Sequence, residues 1–244
     1  MVRAVNTKER EKQILSLIVD SYIEESRPIS SGYLCQKYKL SCSSATIRNI
    51  MLALERQGLL SHIYTSSGRV PTKQGFKLYI QDFEYDNFQD YSVAFSFYLA
   101  PEPTLSDIVN NTLDALSLSG YTSLLAVSGQ DKGLFFKGLR FMLEQPEFED
   151  VDKLKEILYI LEVKMNDIEK LLFNYGDDKI KILIGDDIGF SEIVDCSLVV
   201  SGIKEKDHSF ALALLGPMRM NYTKAASCLY SVKNRLEELF DSRA

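Results

Sequence analysis

The sequence predicts an α+β protein: an N-terminal winged helix-turn-helix domain followed by a mixed domain of helices and short strands. Three observations predict it. The first third holds a short helical segment, a tight turn and a second helix opened by serines. A pair of β-prone pieces around a small, glycine-containing tip follows at once. Charge then changes sign along the chain: residues 1–82 carry 12 Lys and Arg against 7 Asp and Glu, net +5, and the rest carries net −11. A basic head on an acidic body is the electrostatic pattern of a nucleic-acid-binding domain joined to a regulatory one.

Composition narrows the function classes. With 45% hydrophobic and 25% charged residues over 244 positions, the chain is neither disordered nor collagen-like and has enough length for one or two cores. No apolar run approaches the ~18 residues that a membrane-spanning helix needs. The start, Met1 to Arg10, becomes densely charged and has no signal-peptide core, which predicts a cytoplasmic protein. Cys35, Cys42, Cys196 and Cys228 form no Cys-x-x-Cys pair, so reduced thiols are expected rather than zinc or a disulfide framework. Two distant histidines, His62 and His208, leave little for histidine-based catalysis. No catalytic, metal or cofactor site is expected.

Along the head, Ile14, Leu17, Ile18, Tyr22 and Ile23 share one helical face, and Arg27-Pro28 ends that helix. Ser30 is placed to cap a short second helix reaching about Lys39, with Ile29 and Leu34 as a hydrophobic staple. After Leu40-Ser41-Cys42, Ser43 caps a third helix through about Arg56 that stops before Gly58. Ile47, Ile50/Met51 and Leu54 form its buried stripe, leaving Thr46, Arg48, Asn49 and Ala53 on flanks or exposed face. Leu60 to Tyr64 and Arg69-Val70 then make a hairpin, a wing, around Thr65-Ser66-Ser67-Gly68. Thr72 opens one more helix with Phe76, Tyr79, Ile80 and Phe83 on one face.

Such a third helix, roughly 21 Å long at about 14 residues, fits a major groove. Arg48 and Asn49 are suited to guanine and adenine edges, and the Ser43 and Ser44 hydroxyls to phosphates. Arg69 has two readings, insertion into a narrow minor groove or a local ion pair with Glu55. The candidate DNA-binding set is Ser43, Ser44, Thr46, Arg48 and Asn49 on the helix, with Tyr64, Ser66, Ser67, Gly68 and Arg69 on the wing.

The runs Ser43-Ser44-Ala45-Thr46-Ile47-Arg48-Asn49, Leu54 to Leu60 and Thr65-Ser66-Ser67-Gly68-Arg69-Val70-Pro71-Thr72 resemble the HrcA heat-inducible transcription repressors. Gly75 to Tyr79, Leu143 to Phe148 and Gly216 to Tyr222 fit the same pattern. The resemblance implies a repressor of chaperone operons, a homodimer on an inverted-repeat operator in double-stranded DNA, and help from the chaperonin in reaching the active fold. It also implies a GAF-like second domain carrying an inserted dimerisation segment. Here only Gly129 to Gly133 stands where that long segment belongs, so a truncated GAF-like domain and weak self-association are expected.

The expected domain limits are 1–83 for the head, 84–103 for a polar linker and 104–244 for the second domain. Within the latter, helices are expected at Ser106–Leu118, Leu134–Glu144, Val151–Asn174 and Asn221–Phe240. Strands are expected at Thr122–Ser128, Lys179–Gly185, Cys196–Ile203 and Ser209–Leu215. Asp177-Asp178 and Asp186-Asp187 read as solvated turns rather than a metal site, because no EF-hand spacing accompanies them. The rival functions are a regulator sensing a metabolite in the second domain, an enzyme with an accessory winged helix, and an architectural DNA binder.

Overall fold

The computed structural model describes residues 2–64, 68–81, 103–129, 132–205 and 208–242, with side chains from Thr7 onward. Ser66, Ser67, Phe83 and nearly all of the expected linker lie outside the described residues. The chain separates into two compact units, Met1–Phe83 and Glu84–Ala244.

The first unit is built by local chemistry. Helix α1 (Val2–Glu25) is followed by α2 (Ser31–Tyr38), where the Ser30 hydroxyl accepts the Tyr33 N–H at 3.1 Å. Lys39 ends α2 in the left-handed region, φ 47°, a position glycine or asparagine usually fills. Helix α3 (Ser44–Arg56) starts at Ser43, whose hydroxyl accepts the Thr46 N–H at 3.2 Å. Strands β1 (Leu60–Ser61) and β2 (Val70–Pro71) pair antiparallel, and α4 (Lys73–Ile80) is capped by Thr72. Each cap satisfies an amide that the helix leaves without an internal partner.

The core of this unit joins Ile14, Leu15, Ile18 and Val19 of α1 to Leu34, Ile47, Met51, Leu54, Leu60 and Phe76. The expected stripe on α1 is corrected here: Leu15 and Val19 are buried, whereas Leu17 and Ile23 are only half-buried. The reason is geometric, since α1 packs against both α3 and α4 and therefore needs a broad apolar face. The strands are also shorter than expected, and His62 to Tyr64 leave the ladder. Ile29 instead adds a third rung by bridging Arg69, with both backbone hydrogen bonds at 2.8 Å. The face of α4 is used inside the unit: Phe76 is buried and the Tyr79 hydroxyl donates to Asp20 at 2.6 Å. Burial raises the Asp20 carboxyl above its ordinary value, with the Tyr79 bond pulling the other way.

The second unit is a five-stranded antiparallel sheet covered on both faces. Its strands are β3 (Thr122–Val127), β4 (Gly133–Lys137), β5 (Lys181–Ile184), β6 (Cys196–Lys204) and β7 (Ser209–Pro217), in the order β4-β3-β7-β6-β5. Helices α5 (Leu105–Ser117) and α9 (Tyr222–Asp241) cover one face. There the Ser123 hydroxyl donates to the Leu113 carbonyl at 3.0 Å, and the Phe210 and Phe240 rings stack with centroids 5.1 Å apart. Between α5 and α9 in sequence come the short α6 (Arg140–Leu143), α7 (Val151–Val163) and α8 (Met165–Tyr175). Residues Ile157, Ile160, Leu161, Ile168 and Leu172 of α7 and α8 pack on the other face, against Leu124, Leu198, Val200, Ala213 and Leu215. Strands β6 and β7 read as near-continuous apolar runs because neither face meets water.

Two expected helices are corrected. Leu134–Glu144 is a strand and then a single helical turn: Leu125 pairs with Phe135 in the β3–β4 hairpin, and Gly138 at φ 83° separates β4 from α6. Val151–Asn174 is two helices, broken at Lys164 with φ −100° and ψ 24°. The Lys164 ammonium pairs with Glu192 and lies over the Tyr159 and Phe190 rings, contacts that hold the break without glycine or proline.

Candidate nucleic-acid interface

Helix α3 presents one exposed face. At 100° per residue, Ser44, Ala45, Arg48, Asn49, Leu52 and Arg56 fall within one arc, and all six are exposed. Ile47, Met51 and Leu54 point the opposite way, into the core. Among the described residues, the side chains of Ser44, Arg48 and Asn49 make no hydrogen bond or ion pair. A guanidinium and a carboxamide, both donor-rich, thus stand in water on a helix whose start is fixed by its cap.

Thr46 is not on that face. Its hydroxyl lies 3.0 Å from the Ser43 hydroxyl and its amide is capped by the same oxygen. Ser43 and Thr46 therefore set where α3 begins, whereas Ser44, Arg48 and Asn49 are what it displays. Ala45 and Leu52, absent from the sequence-based set, sit between Arg48 and Asn49 on the arc. Leu52 is 36% exposed. Helical phase is the signal that could have found both, since at 100° per residue they lie well off the stripe of Ile47, Met51 and Leu54.

The wing is built from its foot upward. Arg69 donates from Nε to Glu55 Oε2 at 3.0 Å, and its Nη2 lies 2.9 Å from the same oxygen. Its side chain is 17% exposed. Of its two readings, the structure holds Arg69 in the local ion pair, at the base of the hairpin. The other Glu55 oxygen meets His62 Nδ1. Burial pushes the Glu55 carboxyl up, but the His62 hydrogen bond and the Arg69 charge outweigh it and leave it below the usual carboxylate range. Glu55 is therefore an anion throughout neutral pH and ties α3 to both sides of the hairpin. Beyond this foot, Ile63 and Tyr64 are 56% and 73% exposed.

Gly68 is a packing glycine. A Cβ there would lie 2.6 Å from the Ile29 carbonyl carbon and oxygen and 2.8 Å from its nitrogen. Backbone on the far side cannot swing away, so Gly68→Ala is expected to open the Ile29–Arg69 bridge at about 1–3 kcal/mol. Thermal unfolding of the head would show it; an unchanged midpoint would mean the hairpin foot yields freely.

The second unit offers little for the rival readings. One cavity of about 570 Å³ sets the carboxylates of Asp177, Asp178, Glu205, Glu237 and Asp241 beside Lys204, Ile203 and Phe240. A second, of about 220 Å³ and lined by Leu105, Ile108, His208, Phe210 and Phe240, is below the ~300 Å³ usual for a small-molecule pocket. Asp177 pairs with Lys181 and Asp178 with Lys233, and no group of residues suited to a metal occurs among the described residues. Arg219 is a local structural residue, bonded to Glu147 and, at 2.8 Å, to Gln145. No helix among the described residues is long and apolar enough to cross a membrane.

Comparison with known proteins gives these geometries a family. The family described as HrcA protein C terminal domain matches residues 99–226. The heat-inducible transcription repressor HrcA of Ruminiclostridium cellulolyticum is 25% identical, with 94% of this chain and 96% of that protein covered. That of Clostridium perfringens is 25% identical, with 96% and 99% covered. The first alignment runs 337 positions, far more than 244 residues can fill, as a short form of these relatives requires. A crystal structure of a hypothetical protein matches with TM-score 0.76 at 17% identity over 96% of this chain and 98% of that one, which shows a shared fold. The family match covers more than half of the sequence: the chain belongs to the HrcA family of transcription repressors and is a regulator rather than an enzyme.

Proposed function

We propose that the head binds double-stranded operator DNA with α3 in the major groove. The observation that carries this reading is the exposed α3 face, where among the described residues Arg48 and Asn49 stand without partners beside Ser44. In this reading Arg48 donates to guanine O6 and N7, Asn49 pairs with adenine, and Ser44 holds a phosphate. Ser43 contributes by fixing the helix start, where backbone amides and the helix dipole favour a phosphate. Tyr64, Ser66, Ser67 and Gly68 contact the flanking backbone in this reading, beside a hairpin foot that Glu55 and Arg69 hold against α3.

Two copies bind an inverted repeat, one head per half-site, and repress chaperone genes, including the chaperonin operon, with the chaperonin supporting the active fold. The heads carry about +5 each, so free copies repel, and phosphate neutralisation with counterion release offsets this on DNA. Footprinting on the chaperonin-operon upstream region tests the reading. Two protected half-sites on one DNA face, an integral number of ~34 Å turns apart, are expected. Binding that bulk DNA competes away equally well would overturn it.

Ala45 and Leu52 give a finer test. Apolar side chains on a base-reading face fit the thymine methyl group, the one apolar feature of the major groove. Exchanging thymine for uracil at the contacted position removes that methyl alone. It is expected to weaken binding roughly fourfold, the worth of one buried methyl at ~0.8 kcal/mol. Ala45→Gly or Leu52→Ala should erase the difference at its own base pair. Equal affinities for thymine and uracil at every half-site position would remove both residues from base reading.

A further inference from the structure

The helix-turn-helix turn contains a second piece of chemistry. Cys35, on α2, donates its thiol to the carbonyl of Cys42 at 3.6 Å. That oxygen is about 2.4 Å from its own Cα by covalent geometry, so the Cys35 sulfur already sits against the backbone of residue 42. Both residues are half-buried, unlike Cys196 and Cys228. Burial raises those two thiols, Cys228 to about 11, so neither competes as a thiolate. Cys42 also lines a surface cavity of about 660 Å³ with Glu9, Arg10, Gln13 and Ser41, room enough for a small oxidant. Two accessible thiols seven residues apart thus bracket the turn that aims α3.

We propose that Cys35 and Cys42 are a peroxide-sensitive pair whose disulfide displaces the start of α3. The Cys35 thiolate attacks hydrogen peroxide: an S–O bond forms, the O–O bond breaks, and hydroxide leaves and takes up the thiol proton as water. The Cys42 thiolate then attacks the Cys35 sulfenic sulfur. The S–S bond forms, the S–O bond breaks, and a second water leaves, so two thiols and one peroxide give one disulfide and two waters. A disulfide needs its Cα atoms about 4.4–6.8 Å apart with the two Cβ vectors converging. The Cys35 sulfur now bonds the Cys42 carbonyl, so forming the disulfide gives up that hydrogen bond and pulls on the 41–43 backbone. Ser43 is the next residue, and its hydroxyl is the cap on Thr46. The closed loop is short, so the chain-entropy gain is smaller than for a long-range staple, and in a reducing compartment such a bond suits a reversible sensor.

The full-length protein is treated with hydrogen peroxide, digested and mapped, and the Thr46 amide is followed by hydrogen exchange. A Cys35–Cys42 linked peptide is expected, reversed by dithiothreitol and absent from Cys35→Ser and Cys42→Ser, together with faster exchange at Thr46. Peroxide should leave Thr46 exchange unchanged in either variant, which separates the disulfide from general oxidation. Free thiols, sulfinic acid at either cysteine, or bonds only between copies would overturn the pair. A linked peptide with unaltered Thr46 exchange would overturn the displacement. Operator affinity is a third readout and rests on the proposed DNA binding. It should fall roughly tenfold on oxidation, about one bidentate base contact, and recover on reduction. If reduced protein binds no operator, the DNA reading fails, while the peptide map and Thr46 exchange still decide the disulfide.

Discussion

Arg48→Ala is expected to lower operator affinity roughly 5- to 150-fold, the ~1–3 kcal/mol of a bidentate base contact. The loss should fall on one or two base pairs, because removing the donor fork removes discrimination where guanine is read. Stability should stay within about 0.5 kcal/mol, since an exposed side chain with no partner among the described residues leaves no cavity and no orphaned group. Ser44→Ala should instead weaken binding evenly across sequences, the behaviour of a phosphate contact. Fluorescence anisotropy with wild-type and single-base-variant operators separates the two patterns. Unchanged affinity for Arg48→Ala, with the protein folded, would remove α3 as the base-reading element.

The largest effect on stability is expected at Gly202. A Cβ there would lie 2.0 Å from the Gly176 oxygen and 2.5 Å from its carbonyl carbon. Gly176 cannot retreat easily, because its own amide is bound to the Leu172 carbonyl and the next carbonyl, Asp177, accepts the Gly202 N–H at 2.7 Å. The end of α8 and strand β6 thus touch backbone to backbone. Gly202→Ala must separate them, break that hydrogen bond and part α8 from the sheet. A cost of about 4 kcal/mol or more is expected, a large share of the ~5–15 kcal/mol that holds a domain folded. Urea unfolding of soluble protein measures it. Gly32→Ala is the contrast: nothing lies within 4 Å of a Cβ there and the residue is helical, so about 0.5–1 kcal/mol of stabilisation is expected. A mild effect at Gly202 would mean the α8 end is free to lift.

The features legible in the sequence were those decided within a few residues. Ser30, Ser43 and Thr72 each cap the helix they precede, because a hydroxyl and an amide three residues on are enough to make the bond. Strands β6 and β7 and helix α9 were equally plain, since apolar content and length left few alternatives. What escaped depends on partners far along the chain. Leu134-Phe135-Phe136 is a short apolar run that suits either a helix or a strand, and only its pairing with β3 decides. The break at Lys164 lies in an unbroken helical period and is held by Glu192, 28 residues on. At the interface, Arg48 and Asn49 follow from helical phase alone. Arg69 and Gly68 do not, because both depend on Ile29, almost forty residues earlier, and Arg69 on Glu55 as well.

The grip of Glu55 on Arg69 has a consequence for the DNA as well as for the protein. It makes α3 and the hairpin one ruler of fixed length. If the head binds DNA as proposed, the bases under α3 and the backbone beside the hairpin are then a set number of base pairs apart within each half-site. An operator with one extra base pair between those positions would then be misread by either the helix or the hairpin. On that reading, a single inserted step within a half-site costs binding that a base change outside the contacted positions does not.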